Sequence, residues 1–210
     1  MPADERLPRL LSAGEVRKLL DLAPQPYRLM FRWAVTTGFR RFEVSGLRLS
    51  DLPEDRASGP EAESLVQFDL VRKGGRLCGV YAPAQLLDET WWYVQTERQR
   101  SALTGEQPVF LTRRGLPVSR SNLSKVFRRC ADAAGSKATL HHLRHTFATN
   151  VLKVLDGFER GVEPMNSIKT LQVLLGHATV RSTEIYLRAL YADSAAVAEV
   201  LGYLYGDTVF

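Results

Sequence analysis

Three of the four histidines in this 210-residue chain, His141, His142 and His145, fall within five residues of one another in HHLRHTFAT, with Arg144 among them. Such a cluster suits three kinds of work. His141 and His145, at i and i+4, share one helix face and with His177 offer three nitrogens to a zinc ion. Arg144 offers a permanent charge and a planar donor fork that matches two phosphate oxygens. The third use is a helix end that the imidazoles cap and solvate. A zincin-type H-E-x-x-H site needs a glutamate after its first histidine, where this chain has His142. Arg144 also adds nothing useful to a metal. The nonapeptide alone leaves phosphate binding and helix decoration open.

The charge balance favours a polyanionic partner without proving one: 28 Lys and Arg against 23 Asp and Glu, net +5. Cys78 and Cys130 lie far apart with no CxxC or Cys/His spacing, so the expectation is reduced thiols, with neither a disulfide framework nor a cysteine-held metal. MPADERLPRL carries acids and prolines where a secretory signal needs a basic start and an apolar core. No apolar run reaches membrane-spanning length. A soluble, cytoplasmic protein without membrane contact is expected.

The elements that must position the cluster read as mainly helical. Ser12 and Glu15 form an S-x-x-E capping box ahead of Val16, Leu19, Leu20 and Leu22, predicting a helix over 13–23. PYRLMFRWAVTTG is a mostly apolar helix that Gly38 terminates, and RRFEVSGL is a short helix that starts at Arg40 near a chain reversal. ESLVQFDLV and RLCGVYAP, joined by RKGG, predict a β-hairpin with Lys73 at its turn, with a third short strand near LRLSDL. Helices are expected from Ala84 to about Leu103, with Trp91, Trp92 and Tyr93 in the core, and from Ser121 to Ala134. HHLRHTFATNVLKVL, LQVLLGH closed by Gly176, STEIYLRAL and DSAAVAEVLGYLY supply the rest. The predicted class is α+β, one domain over 1–210 with a small antiparallel sheet and no interdomain linker.

TTGFRRFEVSGLRLSDL, VRKGG, HHLRHTFAT and LLGHATVRSTEIY, in that order, resemble the motif set of the tyrosine recombinase, or phage integrase, family. The resemblance spans nearly the whole chain from LPRLLSAGEV, and four ordered motifs are far more specific than any one. It implies the catalytic-domain fold of that family and a set of site residues. Arg40 of TGFR matches the first arginine, with Glu43 three positions later; Lys73 matches the hairpin lysine. His141 and Arg144 match H-x-x-R, His142 stands where relatives often carry an acidic or polar residue, His177 is the LGH histidine, and Tyr186, nine residues on, is the nucleophile.

The chemistry so implied needs these types. Attack on a phosphodiester builds charge on its equatorial oxygens, which Arg40 and Arg144 would hold, with His177 as a further donor. Tyr186 would attack as its proton passes to His141, and Lys73 would protonate the departing 5′-hydroxyl. Glu43 is expected to position a cation, since a carboxylate against the phosphate is repulsive. The resemblance implies a 3′-phosphotyrosyl intermediate, no metal or nucleotide cofactor, and double-stranded DNA as partner, bound as a homotetramer by a chain that is monomeric when free. His145 is assigned to the fold.

Alternatives of other kinds are a type IB topoisomerase-like enzyme, a DNA-binding regulator that does not cut, and a zinc hydrolase built on His141, His145 and His177. Two departures from the family stand out. The helical core-binding domain that usually precedes the catalytic one is absent from the 210 residues, so weak, salt-sensitive DNA binding is expected of this chain alone. The segment KVLDGFERGVEPMNSIKT is longer than the family's usual connection, an elaboration near the DNA or a neighbouring subunit. AAVAEVLGYLY is apolar enough to pack on the next protomer or on its own domain.

Overall fold

In the computed structural model, residues 9–53, 65–72, 76–98, 107–158 and 167–175 are described. Lys73, Gly176, His177, Tyr186 and the segments STEIYLRAL and DSAAVAEVLGYLY lie outside them. Helix α1 (Ala13–Leu22) opens with the expected capping box: Glu15 N donates to Ser12 Oγ at 3.2 Å, and Ser12 N donates back to Glu15 Oε2 at 3.1 Å. Helix α2 (Tyr27–Thr37) buries Leu29, Met30, Phe31, Trp33, Ala34, Val35 and Thr37. A helix apolar on so much of its circumference must be surrounded. It packs on α1, on α3 (Arg41–Gly46), α4 (Ala84–Thr96), α5 (Arg120–Ala133) and α6 (Leu140–Phe158), and on the sheet.

The described sheet is one antiparallel hairpin, β1 (Leu65–Arg72) against β2 (Arg76–Pro83), with Phe68 opposite Val80 and Leu70 opposite Cys78. Alternation sends Leu70, Val80 and Ala82 into the core and leaves Leu77 and Tyr81 outside. The expected third strand is not formed among the described residues. Arg48 makes an isolated bridge to Pro108, and Leu49–Asp51 winds into a 3-10 turn. Asp51 Oδ2 accepts from Arg48 N at 2.8 Å, a local bond that favours the turn over extended backbone.

Two further expectations change. Helix α4 ends at Thr96 rather than near Leu103. The Arg98 guanidinium forks onto the carbonyls of Pro108, at 2.7 Å, and Val109, at 3.1 Å, which draws the chain off the helix axis. Of the aromatic triplet, Tyr93 is buried and Trp91 is partly buried, donating to Pro53 O at 3.2 Å, but Trp92 is 53% exposed. Successive helical residues point about 100° apart, so three in a row cannot share one buried face.

Much of the long segment after HHLRHTFATNVL is regular: α6 continues to Phe158 and α7 (Ser167–Leu175) begins nine residues later. Ala148 and Leu152 of α6 pack on Leu171 and Leu175 of α7, so the two helices share a small core beside the main one.

Candidate DNA phosphate site

The site forms where the α2–α3 turn meets the start of α6 and the end of α7. Gly38 closes α2 in the left-handed region, φ 66°. That reversal leaves Arg40 as the N-cap of α3 in extended conformation and puts Glu43 three residues on, at the position whose carboxylate reaches back to the cap. Glu43 Oε2 accepts from Arg40 N at 2.6 Å, and Oε1 lies 3.3 Å from Arg40 Nη1. The same Oε2 is 4.0 Å from Arg144 Nη1. Both the Glu43 and Arg144 side chains are only 2% exposed. A charge so deeply buried needs partners, and here one carboxylate serves two guanidiniums.

Backbone carbonyls complete their anchoring. Arg144 Nη1 donates to Gly38 O, and Nη2 donates to Leu175 O at 3.0 Å. Arg40 Nη1 also reaches Leu175 O, at 3.5 Å. Leu175 ends α7, where unpaired carbonyls and the negative end of the helix dipole suit cations. The arginines therefore tie the last turn of α7 to the α2–α3 turn.

His141 stands open to the same cleft, and His145 packs under it edge to face, ring centroids 4.2 Å apart. Crowding of its ring, then the charges of Arg144, His142 and Arg40, push the His141 pKa below the ordinary 6.5. His145 is pushed to about 4, by burial first and then by His141, His142 and Arg144. Both are neutral near pH 7, and His141 is free to accept a proton there.

His142 does something else: its Nδ1 accepts from Thr139 N at 2.8 Å. Thr139 precedes α6, so His142 plays the part that glutamate plays in a capping box. Its pKa is also lowered, by burial and then Arg9, against the opposing pull of Glu15. An imidazolium could not accept that bond.

All three shifts have the same sign. The folded state resists protons that the unfolded chain takes up near 6.5, so the stability they contribute is complete above that pH and is lost as pH falls toward about 4. By pH 5 His145 alone accounts for on the order of 2 kcal/mol. Thermal melts should show the midpoint falling from pH 7.5 to 5, and His145→Gln should flatten that fall. An equally steep decline in the variant would remove His145 as a cause.

The cleft over these residues holds about 430 Å³, against roughly 30 Å³ for one water. Arg40, His141 and Arg144 line it, and so do Arg41 and Arg120, which the motifs did not single out. Their signals were present in the sequence: a doubled arginine at a helix start, and a basic residue after the Ser119 N-cap of α5. Of the expected site residues, the structure thus brings together Arg40, Glu43, His141 and Arg144. Lys73, His177 and Tyr186 fall outside the described residues. Among those described, no three His, Cys, Asp or Glu side chains gather as metal ligands, and no helix is long and apolar enough to cross a membrane.

Known proteins are similar to this chain in sequence and in fold. The sequence profile of the phage integrase family matches residues 86–193. A tyrosine recombinase XerA from Pyrococcus furiosus is 31% identical over 191 residues, covering 87% of this chain and 58% of the relative. The chain therefore spans less than two thirds of that relative's length. The crystal structure of a XerA recombinase superposes with a TM-score of 0.63 at 26% identity, covering 89% of this chain and 65% of that one. A XerH site-specific recombinase bound to a palindromic difH substrate, in a post-cleavage complex, gives 0.66 at 21% identity, over 96% of this chain and 55% of that one.

Proposed function

The chain belongs to the phage integrase family, and from that premise we propose that it is the catalytic domain of a site-specific DNA recombinase that cuts and rejoins strands through Tyr186. The observation that carries this reading is the shared carboxylate. Glu43 holds Arg40 and Arg144 toward one cleft beside a neutral His141, a donor set suited to the oxygens of a phosphodiester.

The reaction follows from those residues. A tyrosine in water has a pKa of about 10, so its attack requires a base and nearby positive charge. His141, kept neutral by its surroundings, takes the proton, and the two guanidiniums make the phenolate less costly. As Tyr186 Oη bonds to phosphorus, Arg40, Arg144 and His177 hold the charge that grows on the equatorial oxygens. Lys73 protonates the 5′-oxygen as its bond to phosphorus breaks, leaving a 3′-phosphotyrosyl link. Reversal with a new 5′-hydroxyl rejoins the strand, so no nucleotide cofactor is consumed. Duplex DNA is the partner, gripped by four copies of the protein during exchange in the cytoplasm.

The test is to trap the wild-type protein on a nicked duplex from which the cleaved 5′ fragment diffuses away, and to locate the modified residue by mass spectrometry. DNA on Tyr186 is the expected result. DNA on another residue, or no adduct across a panel of palindromic half-sites, would overturn the assignment.

A further inference from the structure

The cleft contains more positive charge than one scissile phosphate requires. Arg40 and Arg41 are chain neighbours, but one is the N-cap of α3 and the other its first residue, so their side chains part. Arg40 turns to the end of α7, whereas Arg41 Nη1 donates to Ser124 Oγ of α5 at 2.9 Å. On the same wall the Arg120 guanidinium lies over the Phe42 ring, 5.7 Å from its centroid. Both Arg41 and Arg120 are exposed, and neither has a carboxylate partner among the described residues.

An exposed arginine ordinarily pairs with an acid or sweeps through solvent. These two are held by a neutral hydroxyl and a ring face, contacts that fix direction without cancelling charge. Part of the ordering cost of binding an anion is thereby met in advance. Among the described residues, Glu43 is the carboxylate that pairs within this group of four guanidiniums, with Arg40 and Arg144. Phosphates recur along a DNA strand about every 3.4 Å of axis, and the cleft is much larger than one such group.

We propose that the α3–α5 end of the cleft is a second phosphate subsite, in which Arg41, steadied by Ser124, and Arg120, laid on Phe42, take a backbone phosphate adjacent to the scissile one. The proposal rests on the DNA-cleaving reading and adds to it a contact that sets where the strand lies before Tyr186 attacks. Arg41 is a binding residue here, and Ser124 a positioning one.

Methylphosphonate scanning tests it. Each phosphate within three of the scissile one is made neutral in turn, and affinity and adduct formation are measured for wild type, Arg41→Ala and Ser124→Ala, all checked for wild-type melting. One neutral linkage beside the scissile phosphate should weaken wild type by roughly tenfold, and Arg41→Ala should no longer distinguish that linkage from a native one. The slope of log affinity against log salt should fall by about one in Arg41→Ala. Ser124→Ala, with the charge kept, should show a smaller loss at the same linkage. If Arg41→Ala fails to fold, Arg41→Gln removes the charge with the stem retained and is held to the same outcome. An Arg41 variant that is equally sensitive at every linkage, or that keeps the wild-type salt slope, overturns the subsite. A wild-type adduct on Tyr186 in that case leaves the recombinase reading standing, whereas no wild-type adduct on any duplex removes the reading itself.

Discussion

Tyr186→Phe is expected to abolish the covalent protein–DNA adduct and leave DNA affinity unchanged. On the proposed mechanism the substitution removes the one atom that bonds to phosphorus and keeps the rest of the side chain. Loss of a charge-stabilising donor typically costs about 10²–10³ in rate, because other donors still act on the transition state. Loss of the nucleophile leaves no route to a protein-linked strand, so the expected loss is complete rather than graded. Binding should persist because Arg40, Arg41, Arg120 and Arg144 are untouched and sequence-independent affinity comes from phosphate contacts. Denaturing gels of nicked duplex incubated with each protein check the adduct, and gel shifts at matched salt check the binding. A variant that still forms the adduct would show that the motif order misidentified the nucleophile.

Gly38→Ala should produce the largest loss of stability from a single methyl group. At φ 66° a side chain is strained by about 1–2 kcal/mol. A Cβ there would also overlap the Phe147 ring, with Cε1 at 2.8 Å, and stand 3.0 Å from Leu175 Cδ2. Relieving that overlap in a packed region costs roughly a further 1–3 kcal/mol. For a chain of this size each kcal/mol moves the melting midpoint by about 2–4 °C, so a fall of roughly 4–20 °C is expected. Gly135 separates the two causes: its φ is 72°, but nothing lies within 4 Å of an added Cβ. Gly135→Ala should therefore show the strain alone. Equal shifts in the two variants would mean that the approach of α6 and α7 to Gly38 carries no cost.

Activity should fall with the first variant as well. The carbonyl that accepts from Arg144 Nη1 belongs to Gly38, and the carbonyl that accepts from Nη2 belongs to Leu175, whose side chain the new methyl would press. A change at the turn thus reaches the phosphate site without replacing any of the charged residues that line it. Residual cleavage by Gly38→Ala, measured below its lowered midpoint, separates this displacement from unfolding.

Legibility in the residues alone follows the range of the interaction. The Ser12–Glu15 box, the Gly38 stop and the β1–β2 hairpin were readable because each is decided largely by nearby residues and backbone geometry. The family was readable too, from four ordered motifs that resemble those of phage integrases, and the family's sequence profile matches residues 86–193. Where α4 ends was not readable, because Arg98 is drawn away by carbonyls ten and eleven residues along. HHLRHTFAT was legible in part: the resemblance set His141 apart from His145, which was assigned to the fold, and tertiary contacts gave His142 its work. His141 opens on the cleft, His142 caps α6, and His145 lies beneath, neutral in its crowded place. The division of Arg40 from Arg41, and the buried carboxylate that serves both Arg40 and Arg144, were likewise settled only where helices far apart in the chain meet. A side chain's direction there depends on which carbonyl, hydroxyl or carboxylate the packing brings within reach, and no local pattern encodes that.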